Sequence, residues 1–136
     1  MSAGNLADAL YARSMTFTTD TLESIDAAHE VHIETRAEDG RAYRTVIWIM
    51  VEDGAVYVRS VRGDDGRWYQ QATANPAVKI VVGSVEIDAV AQVATDEQSV
   101  RSASEGLWRK YSPGPSLDAM LAPAVLHTTL RLEPLE

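Results

Sequence analysis

Hydrophobic and polar residues alternate along several short stretches of the chain, with the period of two that is typical of half-buried strands. The first stretch is VHIET, in which Val31, Ile33 and Thr35 alternate with polar neighbours. The segment YRTVIWIMV is apolar on both faces from Val46 to Val51, which predicts one strand covered on both sides. Four further predicted strands follow in the chain: AVYVRSV, AVKIVVG, VEIDAVAQV and LHTTLRL. The pattern therefore predicts six strands.

Turn signals join these strands. The sequence EDG occurs at residues 38–40 and again at 52–54, and each copy predicts a tight hairpin turn. Two successive hairpins would make an antiparallel meander of the first three strands. His127 is expected on the outer face of the last strand.

Helical patterns are predicted at both ends of the strand series and between the strands. They lie in residues 4–29, in RWYQQATA before Pro76, from Thr95 to about Tyr111, and in LDAMLA. Capping-box spacing is found for Asp20 with Glu23 and for Thr95 with Gln98. Trp108, on the amphipathic helix VRSASEGLWRKY, is expected to pack in the core.

Together these elements predict an α+β fold that is mainly β with helices, in the form of a small six-stranded antiparallel barrel flanked by helices. The 136 residues suffice for one domain, residues 1–136, with a helical N-terminal segment 4–29. With 46% hydrophobic and 24% charged residues the composition is that of a globular protein.

Several classes of protein are disfavoured by composition. The first residues do not have the pattern of a signal peptide, and the longest apolar run, VIWIMV, is far too short to cross a bilayer. We therefore expect a cytoplasmic protein with no membrane partner. The absence of cysteine excludes disulfides and thiolate metal sites. His29 and His32 have no third ligand nearby in sequence, so no metal site is predicted.

The distribution of charge is more informative than its sum. Twelve Lys and Arg against twenty Asp and Glu give a net charge of −8, which disfavours nucleic acid as a partner. Yet Arg59, Arg62 and Arg67 fall within nine residues, and Trp68 and Tyr69 follow at once. A local positive patch on a negative body suits a small anion, since guanidinium groups match phosphate geometry.

The loop RGDDG between these arginines supports the same interpretation. Gly63 and Gly66 would let backbone N–H groups approach a phosphate, and the helix that starts near Arg67 would present its positive end there. The alternative is that the arginines only form surface ion pairs with acids such as Asp64 and Asp65. Trp48 and Trp68 could cover a flat ring or could simply fill the core.

The order of these elements and residues resembles the flavin-binding split-barrel superfamily to which pyridoxamine phosphate oxidase belongs. The segment RTVIWIMVEDGAVYVRSVRGDDGRWYQQATANPAVKI is similar to the deazaflavin-dependent nitroreductase branch. IW, YVRSVRG, RWY and RKY are most similar to the uncharacterised domain family 2255. The resemblance covers about residues 30–132.

This resemblance implies a split β-barrel homodimer that holds a deazaflavin or FMN at the subunit boundary. Carried over by position, the cofactor-binding residues would be Arg44, Thr45, Trp48, Arg59, Ser60, Arg62, Gly63, Arg67, Trp68 and Tyr69. The chain departs from the nitroreductase branch at RGDDG, where Asp64 and Asp65 would repel a phosphate unless they point outward.

The function implied is that of an oxidoreductase, a flavin- or deazaflavin-dependent reductase that transfers hydride to or from a small organic substrate. No catalytic side chain is identified, which fits chemistry carried by a cofactor. Two alternatives stay open: a split-barrel protein that binds a small molecule without redox chemistry, and an enzyme that uses the same pocket without a cofactor.

Overall fold

The computed structural model describes residues 16–135. Its elements in chain order are α1 (Thr19–Ala27), β1 (Val31–Arg36), β2 (Ala42–Ile47), β3 (Met50–Glu52), β4 (Ala55–Val58), a 3-10 helix (Gly63–Asp65), α2 (Arg67–Ala74), β5 (Ala77–Val82), β6 (Val85–Val93), α3 (Glu97–Lys110), α4 (Pro115–Leu121), a second 3-10 helix (Pro123–Thr128) and β7 (Leu130–Pro134). The predicted helical stretch NLADALYARS lies outside the described residues.

The seven strands form one antiparallel sheet in the order β2-β1-β5-β6-β7-β4-β3. β2 and β3 therefore lie at opposite edges of the sheet, although only Trp48 and Ile49 separate them in the chain. Three Cα–Cα steps span at most about 11 Å. The two edges must meet there, so the sheet curls into a half-barrel, and we call Trp48–Ile49 the seam.

The prediction of a mainly β fold with helices is confirmed, but the prediction of six strands is wrong. YRTVIWIMV forms two strands, β2 and β3, that pair with different neighbours, so the predicted three-stranded meander is replaced by two separate hairpins. Periodicity could not reveal the break, because the run is apolar on both sides of it.

The last strand also starts later than predicted. Residues 123–128 form a 3-10 helix, in which Thr128 Oγ1 donates to the Val125 carbonyl at 2.7 Å. Side-chain bonds of this kind compete with a sheet ladder. His127 consequently lies in that helix rather than on a strand face, with Nε2 2.7 Å from Asp64 Oδ1.

Both predicted capping boxes are displaced by one or two residues. The N-cap of α1 is Thr18, whose hydroxyl accepts from the Thr21 N–H, and the N-cap of α3 is Asp96, whose carboxylate accepts from the Ser99 N–H. Hydrogen bonds from Ser99 lower the pKa of the Asp96 carboxylate. The bond from the Ser99 side chain has the larger effect, and the bond from the Ser99 N–H has the smaller one.

The apolar core divides into two clusters. The larger fills the half-barrel and includes Ile25, Ile33 and Ile80, all fully buried. The smaller lies between α3 and the β3–β4 hairpin, where α3 approaches so closely that a Cβ on Gly106 would lie 2.9 Å from the Met50 Cβ. Trp108 belongs to neither: it is 58% exposed, so the prediction of core packing is wrong.

Candidate functional site

A cavity of about 830 Å³ opens beside the seam. Four parts of the chain form its wall: Glu30 before β1, residues 45–48 at the end of β2 and the seam, residues 59–62 and 65–68 after β4, and the α4 residues Pro115, Ser116, Ala119 and Met120. Three arginines and two carboxylates line it, against the net −8 of the whole chain.

Arg59 is the most buried charged residue of the wall, with 2% of its surface exposed. Its Nε donates to Thr129 Oγ1 at 3.0 Å, and Nη1 donates to Ser104 Oγ and to the Met120 carbonyl at 3.2 and 3.1 Å. Nη2 donates to the Val100 carbonyl at 3.2 Å. Burial lowers the pKa of Arg59 to about 10.

All four acceptors of Arg59 are neutral, and within residues 16–135 Arg59 forms no ion pair. A buried cation without a counter-charge costs stability unless many hydrogen bonds satisfy it. The guanidinium therefore joins α3, α4 and Thr129, the residue that precedes β7, and adds positive potential to the cavity wall.

Arg62 and Arg67 lie at the exposed side of the same wall. Neither forms an ion pair with any carboxylate of the part of the chain that the structure describes. Arg67 instead stacks its guanidinium over the Tyr43 ring, 4.4 Å from the centroid. The surface ion pairs with Asp64 and Asp65 that the sequence left open are not formed by these two arginines.

Ser60 and two glycines shape the loop that carries Arg62. The Ser60 N–H donates to Thr128 Oγ1 at 3.0 Å, and the Ser60 hydroxyl donates to the Gly63 carbonyl at 2.9 Å. Gly63 has φ +63°, a conformation that L side chains rarely adopt. A Cβ on Gly66 would collide with Ser60 Oγ, so the start of α2 can approach Ser60 only without a side chain.

Two tryptophans form the aromatic part of the wall. Trp68, near the start of α2, is buried and meets Tyr69 edge to face at 6.3 Å between centroids. Trp48, at the seam, stacks on Tyr111 with centroids 3.9 Å apart and an interplanar angle of 4°. Both indoles also contribute to the cavity surface.

Seven of the ten residues predicted for the cofactor line this cavity: Thr45, Trp48, Arg59, Ser60, Arg62, Arg67 and Trp68. The structure does not bring Gly63 or Tyr69 to its wall, where Gly63 shapes the loop and Tyr69 packs behind Trp68.

Arg44 lies on the other face of the sheet. It is opposite Glu34 in the β1–β2 ladder, and its Nε donates to Glu34 Oε1 at 2.9 Å. Successive side chains of a strand point to opposite faces, so Arg44 and its neighbour Thr45 lie on opposite faces of β2, and Arg44 is not among the residues that line the cavity. The hydrogen bond to Glu34 raises the pKa of Arg44.

Of the two aspartates in RGDDG, only Asp65 lines the cavity. Asp64 pairs with His127 outside it. Sequence reasoning missed the contribution of α4, although Pro115, Ser116, Ala119 and Met120 have the spacing of one helix face. It also missed Glu30 and Val61.

Three solved structures show which class of fold this is. A candidate pyridoxamine 5′-phosphate oxidase from Listeria innocua is 16% identical, with a TM-score of 0.61 and coverage of 86% of this chain and 92% of that one. HutZ, the heme storage protein from Vibrio cholerae, is 16% identical, with a TM-score of 0.65 and coverage of 90% and 92%. An F420-H2-dependent reductase is 18% identical, with a TM-score of 0.60 and coverage of 77% and 94%. The chain has the fold of the pyridoxamine phosphate oxidase-like split barrels.

The family is shown by sequence. The family model of DUF2255, uncharacterized proteins conserved in bacteria, matches residues 21–132, and the chain belongs to this family. No curated protein matches the sequence significantly. Within residues 16–135, no helix is long and apolar enough to cross a membrane, and no group of three His, Asp or Glu side chains is arranged to hold a metal ion.

Proposed function

We propose that this protein is an oxidoreductase that binds a phosphate-bearing flavin or deazaflavin in the cavity and transfers hydride to or from a small organic substrate. The observation that carries the proposal is the pairing of two features in one wall. Arg62 and Arg67 have no carboxylate partner among the described residues, and Trp48 and Trp68 supply flat apolar surface beside them.

The charges of the wall fit a phosphate. Guanidinium groups bind phosphate through two parallel charge-assisted hydrogen bonds, and an arginine already paired with an acid would have to break that pair first. Arg62 and Arg67 have no such pair to break. The N-cap of α2, Gly66, caps the helix with no side chain, which leaves the positive end of α2 at the same wall.

The remaining wall fits a planar ring. Trp48, Trp68, Met120 and Ala119 offer apolar surface, and a cavity of about 830 Å³ is within the usual range for small-molecule sites. A flavin or deazaflavin, when bound, would supply or accept the hydride. The protein would then bind the phosphate through Arg62 and Arg67, align the ring against the tryptophans and exclude water, and no acid or base is assigned.

A homodimer is part of this proposal. Val46 and Val61, which line the cavity, are 50% and 52% exposed, and a second copy would cover them. Light scattering coupled to gel filtration gives the mass directly. A monomer at all concentrations would remove the subunit boundary from the proposal.

The test is a titration of the W108F variant with FMN and, separately, with the deazaflavin F420. This variant removes the exposed tryptophan and leaves Trp48 and Trp68 as fluorescence reporters of the cavity. We expect saturable quenching at micromolar concentrations of one of the two. Absence of binding by both would refute the proposal.

A second candidate is a split-barrel protein that binds a small molecule without redox chemistry. It is favoured by Arg59, which already donates four hydrogen bonds to the protein, and by Asp65, whose carboxylate lines the cavity. Cofactor binding without any hydride transfer to a panel of quinones and nitroaromatics would support this candidate over the first.

A further inference from the structure

The seam between β2 and β3 leaves backbone groups without a sheet partner. Ile49 is fully buried, yet it belongs to no strand. A buried N–H or C=O group that finds no hydrogen bond costs stability, so the seam needs partners from elsewhere in the chain.

The end of α3, in the RKY sequence of residues 109–111, provides these partners. The Ile49 N–H donates to the Tyr111 hydroxyl at 3.1 Å, and that hydroxyl donates to the His29 carbonyl at 2.8 Å. The Lys110 ammonium donates to the Ile49 carbonyl at 2.9 Å and to the Ile25 carbonyl at 3.2 Å. Two adjacent side chains thus satisfy both backbone groups of Ile49.

The same tyrosine fixes the orientation of Trp48. The two rings are nearly parallel, 3.9 Å apart, and the His29 ring meets both of them edge to face at 6.0 and 5.1 Å. Because one indole face is covered by Tyr111, the surface that Trp48 offers to the cavity is its opposite face and rim. The exposed side of the indole is therefore set by the end of α3.

We propose that Lys110 and Tyr111 are positioning residues that close the seam of the half-barrel and hold Trp48 flat as the ring-binding wall of the cavity. The part of this proposal that concerns a bound ring rests on the proposed function. The part that concerns Trp48 itself does not, since the contacts exist within the chain alone.

The protonation states of these groups are consistent with that role. Burial raises the pKa of Tyr111 to about 12, so its hydroxyl keeps the proton that it donates to His29. Burial lowers the pKa of Lys110, and two carbonyl acceptors compensate part of the loss of hydration.

The test uses Trp48 as the only tryptophan, in the W68F/W108F background. Y111L removes the stack, Y111F keeps the ring and removes the hydroxyl, and K110M removes the ammonium. The matched control is Y57L, since Tyr57 is buried in the same apolar cluster without a ring contact to Trp48 in the described structure. Trp48 emission, acrylamide quenching and near-ultraviolet circular dichroism are measured without ligand in this background. FMN or F420 affinity is measured by absorbance in the same variants with Trp68 and Trp108 retained, because Trp68 lines the cavity.

We expect Y111L to increase the quenching of Trp48, to lose its near-ultraviolet signal and to weaken cofactor binding roughly 2- to 10-fold, the equivalent of one aromatic pair. Y111F should preserve the Trp48 signal and bind more tightly than Y111L. K110M should give a shifted Trp48 signal with the stack retained.

Two results would overturn the proposal: a Trp48 signal in Y111L that equals that of the parent, or the same change in Y57L. If Y111L alters Trp48 as expected while the protein with its native Trp68 binds neither cofactor, the positioning role is supported and the proposed function is the part that fails.

Discussion

Arginine serves two different purposes in two regions of this molecule. On the outer face of the sheet, Arg44 contacts Glu34 and Glu86, and Lys79 contacts Glu86 and Asp88, in a network of exposed ion pairs. In the cavity wall, Arg59, Arg62 and Arg67 have no acid partner within residues 16–135. Acids compensate the positive charge in the first region. In the second region they do not, and Arg62 and Arg67 remain available to a ligand, whereas Arg59 is held by hydrogen bonds to the protein.

The difference shows that the local density of arginine does not identify a binding site. Arg44 was predicted for the cofactor together with its neighbour Thr45, but the alternation of side chains along β2 puts the two on opposite faces. What marks the cavity arginines is the absence of an acid partner combined with apolar surface nearby. The following predictions test that distinction, beginning with the largest effect.

The largest effect on stability is expected at Arg59. Arg59→Met would leave the hydroxyls of Ser104 and Thr129 and the carbonyls of Val100 and Met120 without their donor, and we expect a loss of about 3 kcal/mol or more in the free energy of unfolding. Urea denaturation of Arg59→Met measures it. Arg44→Met is the matched control, and its midpoint should not move beyond experimental error.

Arg59→Lys keeps the charge but cannot reach four separated acceptors, and we expect it to recover only part of the loss. If Arg59→Met unfolded at the same urea concentration as the parent, the hydrogen bonds beneath the cavity would contribute nothing.

The next largest effect is expected on the affinity for the cofactor, with the stability of the protein unchanged. Arg62→Ala and Arg67→Ala should each weaken binding of the phosphate-bearing cofactor about tenfold or more, because each removes a charge-assisted contact. Their melting temperatures should stay close to that of the parent, since neither side chain is buried. Arg44→Ala should bind as the parent does. Equal losses in all three variants would mean that only net charge matters.

A smaller effect is expected in the loop between the arginines. Gly66→Ala should cost about 1–2 kcal/mol, from collision of the new Cβ with Ser60 Oγ and from the poorer N-cap. In a Ser60→Ala background the collision is absent, and only the N-cap part of the cost should persist. A double-mutant cycle by urea denaturation measures the difference. Additive costs would show that the loop relaxes without strain.

Much of the fold followed from residue patterns. The strands with one buried face, such as β1 with Val31, Ile33 and Thr35 inward, were predicted correctly, as was the end of α2 before Pro76. The seam was not predicted, because the residues before and after it are all apolar. Such a run gives no sign of the position at which the chain leaves one strand partner for another. Only pairing with β1 on one side and β4 on the other reveals it.

The site followed from sequence in part. The segment from Arg59 to Trp68 lies close together in the chain and forms one wall, so local motifs sufficed to find it. Tyr111 and Lys110 lie more than sixty residues from Ile49, and their contacts with the seam exist only in the folded chain. In the sequence, Lys110 is only a cation at the end of a predicted helix, where it complements the helix dipole.

The smallest effect is expected on stability at low pH, and it concerns the ion pairs on the outer face of the sheet. Hydrogen bonds from Lys79 and then Arg44 lower the pKa of Glu86 below its usual 4.5. A carboxylate with a depressed folded-state pKa contributes stability that is present above the unfolded value and is lost as the pH falls through the folded one. The contribution of Glu86 should therefore begin to decline below about pH 4.5 and vanish once the pH is below the lowered folded-state pKa, and Glu86→Gln should lack it at every pH.

The measurement is the difference in melting temperature between the parent and Glu86→Gln, followed from about pH 6 to about pH 3. We expect a small advantage of the parent at the upper end that vanishes toward the lower end. High salt should reduce the advantage at pH 6, because exposed pairs are screened. Cofactor binding, which depends on the other region, should be the same in both proteins. A change in affinity in Glu86→Gln would show that the outer network and the cavity are electrostatically coupled, and that the two arginine regions are not independent.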